Sequence, residues 1–176
     1  GGTEVDGGTP GANLAGVRGG YRQALWPPYR GGTVRTGPDR FVPGWDNQKA
    51  ATIFAQMLVR TGNRIDAVVA ANDGIAASVV ADLQKHGLKP IPLTGQDATP
   101  QGLQYIIAGW QSMTVWKDTR LLAKAAAAAA ISLLDGETPT QTGPGRQGQR
   151  KEPGCLLPPA LGPRAHAEKR ATSPFA

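Results

Sequence analysis

Three polar residues stand where short apolar runs of the chain end. Asn72 follows Ile-Asp-Ala-Val-Val-Ala at 65–70, Asp97 follows Pro-Ile-Pro-Leu-Thr at 90–94, and Lys117 follows Ser-Met-Thr-Val-Trp at 112–116. Together they supply amide donors and acceptors, a carboxylate acceptor and an ammonium donor. A polyhydroxylated ligand needs this mixture, because each hydroxyl both donates and accepts and charge-assisted bonds are the strong ones. Trp45, in Pro-Gly-Trp-Asp at 43–46, adds a flat apolar face of the kind that covers the C–H side of a sugar ring. Each residue alone also has a plain structural reading. Asn72 and Asp97 are common turn residues, Lys117 an ordinary surface charge and Trp45 a core anchor.

The elements that position these residues follow from periodicity. The run 65–70 is β-branched and reads as a buried strand, ending at Ala71-Asn72-Asp73. Ile75, Val79, Val80 and Leu83 then fall on one helical face, and His86-Gly87 is a stop signal. Asp73 is expected to cap that helix. A second unit repeats the pattern: a strand at 90–94, a Gly-Gln-Asp-Ala loop, and a helix to about Ala108 capped by Thr99 with Pro100 in its first turn. Residues 112–116 read as a strand, and Thr119 to Leu134 as an alanine-rich helix. Upstream, 13 to about 26 and 46–61 are helical patterns, the second with Ala50, Phe54, Met57 and Leu58 on one face, and 33–36 is a candidate strand. Alternating strands and helices predict an α/β fold, a doubly wound parallel sheet covered on both faces in three layers. Ligands of such sheets collect beyond the strands' carboxyl ends, where the Asn72, Asp97 and Lys117 loops fall.

Composition narrows the function classes. The chain has 176 residues with 24 Gly and 15 Pro, much of both before Trp45 or after Thr138. The formal charge is +6, and from Gln141 onward six bases face two acids. No aromatic residues interleave with those bases, so the tail reads as a solvated end and no nucleic-acid partner is expected. Cys155 is the single cysteine, which excludes an internal disulfide, and His86 and His166 are the only histidines, so no zinc cluster or other cofactor site is expected. No apolar run reaches the roughly 20 residues of a membrane helix. The start at Gly1 shows no charged and apolar leader, which implies a leader removed or a chain that begins within a longer protein. The glycine-rich 1–20 region lacks the Gly-Lys-Ser/Thr of a phosphate loop. No Ser/His/Asp triad can be assembled, and Asp73 and Asp97 as a hydrolytic carboxylate pair are disfavoured by the capping role assigned to Asp73. No enzyme activity is expected.

Several blocks in order resemble sugar-binding proteins of ABC importers, of the xylose-binding type. They are Asp-Ala-Val-Val-Ala-Ala-Asn-Asp at 66–73, Thr-Gly-Gln-Asp-Ala at 94–98, Met-Thr-Val-Trp-Lys at 113–117, Pro-Gly-Trp-Asp at 43–46, and Gly-Gly-Thr-Pro at 7–10 leading to Asn13. Their spacing follows the family from about Asp6 to Thr140. The resemblance implies that Asn13, Trp45, Asn72, Asp97 and Lys117 face a xylose-like monosaccharide, with Gln96 supporting Asp97. It implies the carboxy-terminal lobe of a type 1 periplasmic binding protein, which closes on sugar against an amino-terminal lobe absent from this chain and is then recognised by a membrane permease. The sugar-binding lobe is expected over 1–142, with a hinge remnant and basic tail over 143–176, where Lys-Glu-Pro at 151–153 is still hinge-like. A truncated or frame-disrupted reading frame would produce both ends. At Gly11-Ala12 the family tends to be more polar. The implied location is periplasmic or extracellular, with lipid anchoring in the longer protein as a variant. A sugar-responsive transcription regulator, whose effector domain shares the fold, is the alternative; it would carry a helix-turn-helix upstream.

Overall fold

The computed structural model describes residues 2–7, 12–139, 143–147, 150–154 and 160–162, with side chains described at 2–5 and 16–139. Its contacts divide the chain into two units, Gly1–Val115 with Leu161–Ala176, and Trp116–Ala160. The first unit is built on a parallel sheet in the order β2-β1-β3, where β1 is Gly2–Gly7, β2 is Thr36–Val42 and β3 is Ala67–Ala70. Glu4 of β1 pairs with Asp39 of β2 and with Val69 of β3, which fixes the register on both sides. Beyond β3 the sheet continues irregularly. Val68 bridges Leu93, and Gln96 bridges Val115 of β4 (Thr114–Trp116), both in parallel.

The expected strand at 90–94 is thus a single-residue bridge in place of a ladder. Pro90 and Pro92 have no N–H to give, so toward β3 its backbone bonds are Pro92 O accepting from Val68 N at 2.8 Å and Thr94 N donating to Val68 O at 3.1 Å. The strand expected at 65–70 begins two residues later, at Ala67, and the strand expected at 33–36 runs instead over Thr36–Val42.

Right-handed crossovers dictate the layers. The helix α1 (Ala12–Arg30) links β1 to the outer strand β2 on one face, and α2 (Asn47–Thr61), α3 (Asp73–Lys85) and α4 (Pro100–Ile107) cover the other. The helix α1 outruns its expected end at Trp26 and includes Pro27 and Pro28 in its last turn. The packed centre lies under α2 and α3. Phe54 and Leu58 of α2 and Ile75, Val79 and Leu83 of α3 are buried against Val68 and Leu93 of the sheet. These are the positions that helical periodicity placed on the inner faces.

Helix ends are explained locally. Asp46 caps α2 by accepting from the Gln48 and Lys49 N–H groups, and Gly62, at φ 59°, closes it in the left-handed conformation. Thr99 caps α4 through Gly102 N, as expected. The expected cap of α3 is corrected: Asn72 caps it, its side chain accepting from Ile75 N at 2.8 Å, and Asp73 is the first helical residue. The second unit contains α5 (Thr119–Leu134), capped by Asp118, and an antiparallel hairpin of β5 (Gly143–Gln147) and β6 (Arg150–Gly154). A short strand, β7, spans Ala160–Gly162.

Two measurements check this packing. Phe54 is fully buried, so Phe54→Ala is expected to destabilise the chain by about 3–5 kcal/mol, read as a fall in the urea midpoint. Asp82 of α3 is 7% exposed, and burial pushes its carboxyl above the ordinary 3.8, against a lowering by His86 and Lys85. The native state therefore holds this proton where the unfolded chain has lost it, and the group's stabilising effect is lost as pH rises from 3.8 through the folded value. Asp82→Asn is expected to unfold at higher denaturant than the parent at neutral pH, with the difference shrinking in acid; parallel curves at every pH would contradict this.

Candidate functional site

The parallel pairing brings the carboxyl ends of the strands to one edge of the first unit. Val42, Ala70 and Gln96 are the last sheet residues of their segments, and Trp45, Asn72 and Asp97 follow them by one to three positions. Two backbone bonds hold the Asn72 turn in place: Ala71 N donates to Val5 O at 3.1 Å and Asp73 N to Gln96 O at 2.9 Å. The second bond sets the Asn72 turn beside the Gln96-Asp97 loop. The Trp45 turn reaches the same place through α2, because the Ser78 hydroxyl of α3 donates to Asn47 O at 2.8 Å. A Cβ on Gly74 would meet the Asn47 side chain at 2.8 Å, so the two helix starts approach closely. Where the strand order reverses, between β1 and β3, lies the switch point at which such sheets bind ligands.

Backbone conformation singles out the same residues. Among the described residues four other than glycine have positive φ: Trp45 at 58°, Asn63 at 61°, Asp97 at 98° and Ala98 at 52°. Three of the four lie in the Trp45 and Asp97 turns. A non-glycine residue in this region costs on the order of 1–3 kcal/mol, and such strain collects at ligand sites where the surroundings enforce it. Trp45 is 41% exposed and therefore is not the core anchor of its plain structural reading. Asp97 is exposed, and Asn72 is partly buried.

Asn72 takes the capping role. Its Oδ1 is engaged as the cap of α3, which leaves the Nδ2 hydrogens as what it can offer a ligand. Asn13 lies in the first turn of α1, and its side chain falls outside the described residues. Lys117 belongs to the second unit, where it is exposed and directly precedes Asp118. There the Arg120 guanidinium donates to both carboxylate oxygens of Asp118 at 3.0 Å, and this hydrogen bonding holds the Asp118 carboxyl below its ordinary value. The same guanidinium lies 5.9 Å from the centre of the Trp116 ring.

The residue that sequence reasoning misplaced is Asp73. Its carboxylate is 1% exposed and has no cation beside it among the described ion pairs; it is satisfied by hydrogen bonds alone. Oδ2 accepts from Thr99 N at 2.8 Å and from the Thr99 hydroxyl at 3.3 Å. Oδ1 accepts from Gln111 Nε2 at 2.9 Å and from the Thr114 hydroxyl at 2.8 Å. Gly95 and Gly102 complete the enclosure, because a Cβ on either would collide with a carboxylate oxygen of Asp73. Two signals in the sequence point to this cluster. One is a glycine inside α4, where it is unfavourable by about 1 kcal/mol relative to alanine, and the other is an acid directly after a capping asparagine. The network leaves Asp73 acceptor-bound on both oxygens, so it does not pair with Asp97 for glycoside hydrolysis.

Two grooves of the first unit lie elsewhere. One of about 660 Å³ runs between α2 and α3, lined by Ala55, Val59, Asp82 and His86 among others, and one of about 790 Å³ lies at the opposite end of the sheet by Arg35 and Asp66.

Comparison with known proteins bears on the family and the fold. The chain is 37% identical over 155 residues to the D-xylose-binding periplasmic protein of Escherichia coli (strain K12), and 34% identical over 155 residues to that of Haemophilus influenzae; each match takes in 87% of this chain and 47% of the relative. It thus spans about half the length of the curated relatives it matches. A solute-binding protein of an ABC transporter from Clostridium phytofermentans, solved with bound β-D-glucose, superposes with a TM-score of 0.83 at 22% identity, over 96% of this chain and 56% of that one. That likeness concerns the fold, and it supports one lobe of a type 1 periplasmic binding protein. Residues 4–138 match the periplasmic binding protein domain, and the chain belongs to that family.

Proposed function

We propose that this chain is the sugar-binding lobe of the solute-binding component of an ABC importer, taking a xylose-like monosaccharide at the carboxyl ends of its strands. The observation that carries the reading is the gathering of Trp45, Asn72 and Asp97 at one edge of the sheet, with Trp45 and Asp97 in the left-handed backbone region. On this reading the Trp45 ring covers the apolar face of the sugar, Asn72 Nδ2 donates to a hydroxyl, and the Asp97 carboxylate accepts from one. Asn13, and Lys117 as an ammonium donor, are the further polar contacts that the family resemblance implies. The relatives named above as D-xylose-binding support the choice of sugar class, and their periplasmic naming supports a periplasmic location, free or lipid-anchored, for the longer protein.

The lobe on this reading runs over 1–142, with 143–176 as hinge remnant and tail; the family match over 4–138 supports the first of these bounds. The mechanism is binding and closure without bond chemistry, completed by an amino-terminal lobe and read out by a permease. A lobe without its opposing half loses part of the enclosure that excludes water from the sugar, so affinity is expected on the order of millimolar or weaker.

The test is titration of the ¹⁵N-labelled chain with D-xylose. Fast-exchange shifts are expected at the Asn72 and Asp97 amides and the Trp45 indole N–H. Shifts confined to the α2–α3 groove would overturn the site, and micromolar binding by calorimetry would overturn the half-pocket. Asn72→Asp separates the two roles of that residue. Aspartate caps a helix as well as asparagine does, so stability is expected to stay within about 0.5 kcal/mol, while the xylose-induced shifts at the α3 start are lost with the Nδ2 donors.

A further inference from the structure

We propose that the buried Asp73 carboxylate is a positioning residue, which holds Asp97 and Ala98 in the left-handed backbone and thereby fixes how Asp97 is presented. The proposal rests on the sugar-site reading only for what the loop serves.

The two peptide N–H groups that follow Asp97 are both tied to Asp73. Thr99 N donates directly to Asp73 Oδ2 at 2.8 Å. Ala98 N donates to the Thr114 hydroxyl at 3.1 Å, and that hydroxyl donates onward to Asp73 Oδ1 at 2.8 Å. On the other side Asp97 N donates to Val115 O at 2.8 Å. Every N–H from Asp97 to Thr99 is therefore fixed to a rigid element, and the φ values of 98° at Asp97 and 52° at Ala98 lie between those fixed points. Two left-handed non-glycine residues in succession relax unless something enforces them. A carboxylate supplies the enforcement, because hydrogen bonds to a charged acceptor are the stronger kind and a buried carboxylate that loses its donors is costly.

Gln111 and the Thr99 hydroxyl fill the remaining acceptor positions, so the carboxylate cannot swing away from the loop. Gly95 and Gly102 allow the loop and α4 to close onto it. Asp73 is the first residue of α3, one position after the capping Asn72, so a single dipeptide carries one proposed ligand contact and the support of another.

Asp73→Asn and Thr114→Val test the proposal, with Thr114→Ser as the conservative control that keeps the relay hydroxyl. The readouts are the HN–Hα coupling constants of Asp97 and Ala98, amide exchange at Thr99, and amide exchange along α3, all in the whole chain. In Asp73→Asn and Thr114→Val the two couplings are expected to leave their left-handed values and Thr99 exchange to quicken by about tenfold or more, with α3 still protected. Thr114→Ser is expected to stay close to the parent. Unchanged couplings in both disruptive variants overturn the proposal. So does a loss of protection in α3 equal to that at Thr99, which assigns the network to folding alone. Where Asp73→Asn does not fold, the Thr114→Val and Thr114→Ser pair decides. D-xylose titration of the same variants separates the two readings: a parent chain with no xylose-induced shifts removes the sugar site, and the coupling constants still settle the positioning role.

Discussion

A carboxylate with no cation beside it among the described residues stays buried only where donors surround it, and Asp73 meets that condition from three directions at once. Thr99 comes from the start of α4, Thr114 from β4 and Gln111 from the turn before it, and Asp73 itself begins α3. Removing a charge from water costs several kcal/mol even after relaxation, and each charge-assisted hydrogen bond returns about 1.5–3 kcal/mol. Four such contacts bring the site near balance and make it unforgiving. The elements that meet at Asp73 can be assembled in one arrangement, since any other leaves a buried charge without partners. The parallel sheet sets the coarse position of the strand ends, and this carboxylate sets the fine position of the loops beyond them.

Local strain follows from that constraint. Trp45, Asp97 and Ala98 together hold a few kcal/mol in unfavourable backbone, a sizeable share of the 5–15 kcal/mol by which a domain is ordinarily stable. The strain persists because its neighbours are rigid. The Trp45 turn is clamped between the end of β2 and the capped start of α2, whose inner face is anchored by Phe54 and Leu58. The Asp97 loop is clamped between its bridge to Val115 and the Asp73 network. Glycine at either turn would relieve the backbone, but it would remove the side chain that the proposed site uses.

Much of this was legible in the sequence, and the misreadings have physical causes. Helical periodicity located the buried faces of α2 and α3, because burial against a sheet imposes a stripe of apolar residues that nothing else in the chain mimics. Thr99 and Pro100 announced the start of α4 because the cap to Gly102 N and the proline of the first turn are local signals. The cap of α3 was misassigned by one residue: Asn72 and Asp73 are both competent caps, and what decides between them is the set of distant donors from Thr99, Gln111 and Thr114 that only the fold assembles. The strand at 90–94 was overread for a similar reason. Its apolar residues alternate well, but two prolines leave too few N–H groups to make a ladder. The candidate ligand residues could be placed at strand ends from the pattern alone, whereas the left-handed conformation of Trp45 and Asp97 depends on long-range contacts and left no local trace.

The geometry also divides labour between the proposed sugar contacts. Asn72 Oδ1 already accepts from Ile75 N, so the proposed site draws on the Nδ2 hydrogens of this residue. Asp97 carries an acceptor on a neighbouring loop, and the bond from Asp73 N to Gln96 O holds the two loops side by side. A donor and a charged acceptor at adjacent strand ends complement a pair of neighbouring hydroxyls, one accepting from Asn72 and the other donating to Asp97. A ligand with isolated hydroxyls would satisfy only one of the two. On the proposed reading the arrangement suits vicinal diols as a class, with the choice among pentoses and hexoses left to contacts beyond these two residues. That division is consistent with one α/β scaffold serving relatives named for xylose, galactose and several sugars together.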